Sequence, residues 1–101
     1  SMNTKKISPA MDFLTEVVGG PLTLGELIRS IRDGEGLSQV EFARLLGLSR
    51  SHLCDLEQGR KNLSPERAAR YARILGYSEA QFVRLALQKV VSDAGLMLSV
   101  E

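Results

Sequence analysis

Apolar residues recur along the middle of the chain with a period close to that of a helix, and each run is bracketed by a hydroxyl or a glycine. Leu24, Leu27, Ile28 and Ile31 fall at i, i+3, i+4 and i+7, so a helix beginning at Leu24 places them on one face. Thr23 precedes that run and Glu26 lies three residues on, the reciprocal pairing that satisfies two unbonded N–H groups of a first turn; Gly34-Glu35-Gly36 ends the run. Ser38 opens a second helix, in which Val40, Phe42, Ala43, Leu45 and Leu46 are expected to be buried and which stops at Gly47. Only Gly47 and Leu48 separate it from the next cap, Ser49, so a third helix over about Arg50 to Gln58 must leave at a steep angle. Leu53 and Leu56 face inward there, and Gly59 terminates it. Ser64-Pro65 starts a fourth helix, with Ala68, Ala69, Ala72 and Leu75 suited to close packing, which Gly76 closes. Ser78-Glu79-Ala80-Gln81 reads as another capping box, opening a fifth helix through about Ser92 with Phe82, Leu85, Ala86 and Val90 inward.

The two ends follow different patterns. Ser8-Pro9 signals a short helix to about Val18, with Phe13, Leu14, Val17 and Val18 as one apolar stripe, and Gly19-Gly20-Pro21 breaks it. After Gly95 the period drops to two, with Leu96, Leu98 and Val100 alternating against Met97 and Ser99. A lone strand has no ladder partner, so the same segment of a second copy would supply one; the other reading is a frayed tail. The expected architecture is all-α: an N-terminal arm over 1–22, a five-helix domain over 23–93, and a C-terminal tail over 94–101 that serves as a dimerisation strand.

Composition narrows the classes. The 101 residues are 44% hydrophobic and 25% charged with a net charge of +1, which fits one small globular domain with no room for a second catalytic one. No apolar run approaches the roughly 18 residues of a membrane span, so no membrane is expected as partner. No apolar stretch follows Lys5-Lys6, so no secretory signal is read at the start, Ser1 before Met2 looks like an expression scar, and a cytoplasmic location is expected. Cys54 is the single cysteine, which excludes an internal disulfide and a multi-cysteine zinc site. Net charge is nearly silent, but between Leu37 and Arg73 seven basic residues stand against four acidic ones, a local excess of three.

That basic stretch contains the most specific pattern in the chain. Residues 37–59 open on Ser38-Gln39, carry Ala43 where a crossing helix needs room and Gly47 in the turn, place Leu45, Leu48, Leu53 and Leu56 at the corner, and close on Leu56-Glu57-Gln58-Gly59-Arg60. The pattern resembles the lambda-repressor-like, Cro/Xre class of helix-turn-helix proteins, and the likeness extends over about Leu24 to Leu87.

The resemblance implies that the third helix enters the major groove while the second crosses the phosphate backbone of double-stranded DNA. Carried over by position, Arg50, Ser51 and Asp55 become base readers, with Ser49 and His52 near sugar or phosphate. Arginine can bond a guanine edge bidentately, whereas aspartate can accept from a cytosine amine but is repelled by phosphate. Asp55 equally fits a residue that disfavours wrong sequences, or one that pairs with Arg50 when DNA is absent. Gln39, at a helix N-terminus, can grip a phosphate together with free backbone N–H groups; Arg60, Lys61 and Asn62 form a second clamp, and Arg44 is a further phosphate candidate. Family likeness also pairs Glu57 with Arg32 as a structural link. Arg67, Arg70 and Arg73 recur every three residues and read chiefly as a solvated face.

Other chemistry finds no support. His52 and Cys54, two apart on a helix, point about 200° from each other and form no dyad. No phosphate-binding glycine loop, metalloprotease pair or nucleophile elbow occurs, so no catalytic residue, metal or cofactor is expected. Within the class the chain is most similar to HigA-type antitoxins, which implies a homodimer that represses its own operon at a palindromic operator and neutralises a small basic RelE-like RNase toxin, held through the Phe13, Leu14 and Val17 stripe or another surface. A stand-alone repressor without a toxin and a helical protein-interaction module are the alternatives.

Overall fold

Every helix begins where a hydroxyl is available to cap it. In the computed structural model, which describes residues 22–96, 98 and 100, five helices run α1 Leu24–Glu35, α2 Gln39–Leu46, α3 Arg50–Glu57, α4 Pro65–Leu75 and α5 Glu79–Asp93. The side chains of Thr23, Ser38, Ser49, Ser64 and Ser78 each accept from the backbone N–H three residues on. The reciprocal bond is made at α1, where Thr23 N donates to Glu26 at 2.9 Å, and at α2, where Ser38 N donates to Glu41 at 2.9 Å. At α5 only the serine half is present, with Gln81 N donating to Ser78 Oγ at 3.1 Å, so the expected box there is incomplete.

The core gathers the inner stripe of each helix. Leu24, Leu27, Ile28 and Ile31 of α1 meet Phe42, Ala43 and Leu46 of α2, Leu53 and Leu56 of α3, Leu63 of the following loop, Ala68, Tyr71 and Ala72 of α4, and Phe82 and Ala86 of α5. α5 packs most extensively on α4 and also reaches α1, while α3 sits between α1 and α2. Two expectations about α2 fail: Val40 and Leu45 are half exposed, at 48% and 51%. Phe42, Ala43 and Leu46 span an arc of about 100°, and Val40 and Leu45 flank its centre by about 110° on either side, beyond the reach of the core. Leu45 therefore does not hold the corner; Ala43, Leu46, Leu53 and Leu56 do. Val90 also departs from expectation, continuing the Phe82–Ala86 row but 51% exposed.

Among the described residues there is no strand. The tail instead bonds to α5: Gln88 Nε2 donates to the Leu98 carbonyl at 2.8 Å, and the Val100 N–H donates to Gln88 Oε1 at 2.7 Å. A carboxamide carries the same donor and acceptor as a peptide group, so one glutamine supplies the partners that the strand argument sought in a second chain. Leu96 and Leu98 remain exposed, at 53% and 61%. The expected arm helix, with Phe13, Leu14 and Val17, lies outside the described residues, as do Met97, Ser99 and Glu101.

Candidate nucleic-acid interface

The corner between α2 and α3 is built to be stiff. Gly47 N and Leu48 N donate back to Arg44 O at 3.2 Å and Ala43 O at 2.8 Å, closing α2, and Ser49 immediately caps α3 by accepting from His52 N at 3.0 Å. Leu53 is wholly buried and Leu56 nearly so. With its inner face fixed, α3 turns Arg50 and Ser51 to solvent, with His52, Cys54 and Asp55 half-buried beside them. Among the described residues neither Arg50 nor Ser51 has a side-chain hydrogen bond or ion pair, so the first turn of α3 presents an arginine fork and a hydroxyl ready for an external partner.

The far end of α3 is the opposite. Glu57, whose side chain is 1% exposed, accepts from Arg32 Nε at 2.7 Å, from Arg32 Nη2 at 3.1 Å and from Gln39 Nε2 at 3.1 Å. Arg32 Nη1 donates as well to the Leu37 carbonyl at 3.1 Å. One carboxylate thus joins the last turn of α1, the first residue of α2 and the last residue of α3. Its hydrogen bonds raise the Arg32 pKa above the ordinary arginine value, outweighing the opposing effect of burial. A carboxylate at a helix C-terminus opposes the helix dipole, and the guanidinium compensates for it. Gln39 is drawn into this network by one N–H of its amide; the second N–H is left for another acceptor.

Gly25 lets this junction close. A Cβ at that position would stand 2.4 Å from the Leu56 carbonyl oxygen and 2.9 Å from that of Glu57, so α1 can cross the end of α3 at this distance only without a side chain. No local pattern around Gly25 marks this role, because the contact spans more than thirty positions.

The loop cations are not free either. Arg60 Nε donates to Asp55 Oδ1 at 2.9 Å, and Lys61 Nζ lies 3.8 Å from Asp55 Oδ2. Asp55 therefore pairs with Arg60 and Lys61, and the expected pairing with Arg50 is not made. Arg60 Nη2 also approaches Cys54 Sγ at 3.5 Å. These bonds, that to Asp55 foremost, raise the Arg60 pKa above the ordinary value. Asn62 and Arg44 are exposed. On α4, Arg67 is exposed, Arg70 lies over the Tyr71 ring with its guanidinium 5.4 Å from the centroid, and Arg73 pairs with Glu79 at 3.2 Å. Among the described residues no helix is long and apolar enough to cross a membrane, and no group of three or more candidate metal ligands gathers.

Two short helices at a stiff corner, the second with its outer face open, define a helix-turn-helix. Residues 23–85 match the helix-turn-helix domain family, and the chain belongs to it. It is 35% identical over 69 residues to a protein of Thermococcus kodakarensis named as an HTH-type transcriptional regulatory protein, an alignment covering 68% of this chain and 22% of that one. It is 33% identical over 72 residues to the ImmF control region 10 kDa protein of Bacillus phage phi105, covering 71% of this chain and 79% of that protein. To the immunity repressor protein of the same phage it is 37% identical over 62 residues, covering 61% and 43% respectively. The chain thus spans about a fifth of the first relative and most of the second. No solved structure matches it significantly.

Proposed function

We propose that this chain is a sequence-specific DNA-binding repressor, acting as a homodimer on a palindromic operator. The observation that carries the reading is the open tip of α3, where Arg50 and Ser51 are exposed and, among the described residues, without side-chain partners, on a helix whose other end is locked by Glu57. In the major groove that tip reaches base edges, with Arg50 suited to a guanine O6/N7 pair and Ser51 permissive. Gln39, Ser49 and His52 then lie along one strand's phosphates and Arg60, Lys61 and Asn62 along the other approach, with Arg44 adding charge. A two-fold dimer would hold its two tips about 34 Å apart, one turn of the double helix. The relatives named as a regulator and as an immunity repressor support the same reading.

The test is a salt titration of binding to the DNA upstream of the chain's own gene. Three cations per subunit on phosphates predict a log–log slope of about −5 for the dimer. Affinity indifferent to salt would overturn the DNA reading in favour of a helical protein-interaction module.

A second reading, an antitoxin that also holds a small basic RNase toxin, is favoured by one observation. Leu87 and Val90 on α5, and Leu96 and Leu98 on the tail, expose apolar surface. Co-expression with the neighbouring open frame distinguishes the two: a stable complex that masks this surface supports the antitoxin, and a chain that purifies alone and still represses supports the stand-alone repressor.

A further inference from the structure

We infer that Asp55 does not read a base but aims Arg60 and Lys61 at the phosphate backbone; the inference rests on the DNA reading above. By position alone Asp55 shares the outer face of α3 with Ser51, one turn away, and a free carboxylate there could accept from a cytosine amine. Here the carboxylate is not free. Oδ1 accepts from Arg60 Nε at 2.9 Å and Oδ2 faces Lys61 Nζ at 3.8 Å, and its side chain is only 25% exposed.

The backbone makes the same connection. Gly59, at φ +78°, ends α3 in the left-handed conformation. Gly59 N donates to Leu56 O at 3.2 Å and Arg60 N to Asp55 O at 2.8 Å, the paired closing bonds of a helix terminus. Arg60 is therefore held to Asp55 at two points, by its own N–H and by its side-chain Nε. With Nη2 also donating to Cys54 Sγ at 3.5 Å, these bonds engage the Nε side of the guanidinium and leave Nη1 and the second N–H of Nη2 without a partner among the described residues, on a side chain 58% exposed.

A guanidinium has two distinct donor edges, so Arg60 can keep Nε on Asp55 while its outer edge grips a phosphate. Reading a base would require the opposite. Oδ2 would have to turn from Lys61 to a cytosine amine, and the carboxylate would face the phosphates with less of its charge compensated. With the cations in place the trio carries a net charge of +1, so attraction to the backbone survives. The expected order of events is a clamp already formed in the free protein, which restricts two long side chains before DNA arrives and so lowers the ordering cost of the contact.

The experiment compares the unsubstituted chain, Asp55→Ala, Arg50→Ala, the double variant Arg60→Ala/Lys61→Ala, and the triple variant combining it with Asp55→Ala. Each is bound to a 20-base-pair duplex selected from a random pool, to its single-base-pair variants and to an unrelated duplex, with thermal melting measured in parallel. Asp55→Ala is expected to weaken binding about three- to tenfold on every duplex alike, to leave melting unchanged, and to have no further effect in the chain lacking both cations. A change of preference at one base pair, tighter binding throughout, or an equal loss without the cations would overturn the inference. In each of those cases the DNA reading stands as long as Arg50→Ala alters base preference. Failure of the unsubstituted chain to bind any duplex overturns the reading itself, and the inference with it.

Discussion

The two ends of α3 are seven residues apart and differ in almost every respect. At the first turn Arg50 and Ser51 are exposed with no partner among the described residues, while at the last Glu57 is buried under three hydrogen bonds from two other helices. Contacts within the fold are concentrated at one end of the helix, and the other end is left open. The bonds that fix the helix gather at its last turn, so the first turn is without side-chain partners among the described residues on a helix that is firmly held. An arginine that had a partner at the tip would have to give it up on binding, and a carboxylate without one at the base would cost the fold.

Breaking the anchored end should produce the largest effect. Glu57→Ala leaves Arg32 without its carboxylate beneath α2 and is expected to lower unfolding stability by about 3 kcal/mol in urea titration. A loss of a few tenths would mean that the junction is not what holds the corner. Gly25→Ala attacks the same junction by volume and should cost about 2 kcal/mol, because the new Cβ meets carbonyl oxygens that are backbone and cannot rotate aside. Away from both ends of α3, Tyr71 is wholly buried with no hydrogen-bond partner for its hydroxyl among the described residues. Tyr71→Phe should therefore stabilise the domain by about 1 kcal/mol, and a fall in melting temperature would contradict this.

The smallest effect concerns the start of α2. The Ser38 backbone N–H, and then its hydroxyl, hold the Glu41 carboxyl below its ordinary value of 4.5. A carboxyl whose pKa is depressed in the folded state adds stability above its unfolded pKa and loses it as pH falls through the folded one. The stability gap between the unsubstituted chain and Glu41→Gln should accordingly be constant above about pH 5 and narrow as pH falls further; a gap that widens in acid would show that the cap carries no such linkage.

Much of the fold was legible because helix starts are local. Thr23, Ser38, Ser49, Ser64 and Ser78 each cap from within three residues, and those bonds need no knowledge of the rest of the chain. Burial was less legible. Val40 and Leu45 are apolar and helical, but which arc of α2 is covered depends on where α1, α3 and α4 come to rest. The partners of Asp55 were missed for a related reason: Arg60 and Lys61 lie beyond the helix end, and only the left-handed turn at Gly59 folds them back onto it. Arg32 and Glu57, twenty-five residues apart, were linked in the sequence only through family resemblance, and the third member of that network, Gln39, by no signal at all. The tail misled because its alternation is real, but Gln88 offers its backbone a partner that no periodicity can reveal.

The open tip of α3 is proposed to read sequence, and the base preference of Arg50→Ala tests that role most directly. The selected duplex and its single-base-pair variants should show preference flattened at one base pair in each half-site, with about 1–3 kcal/mol of binding lost there and the other positions unchanged. An equal loss on every duplex would make Arg50 a backbone contact, and no loss would place the reading surface elsewhere on the molecule.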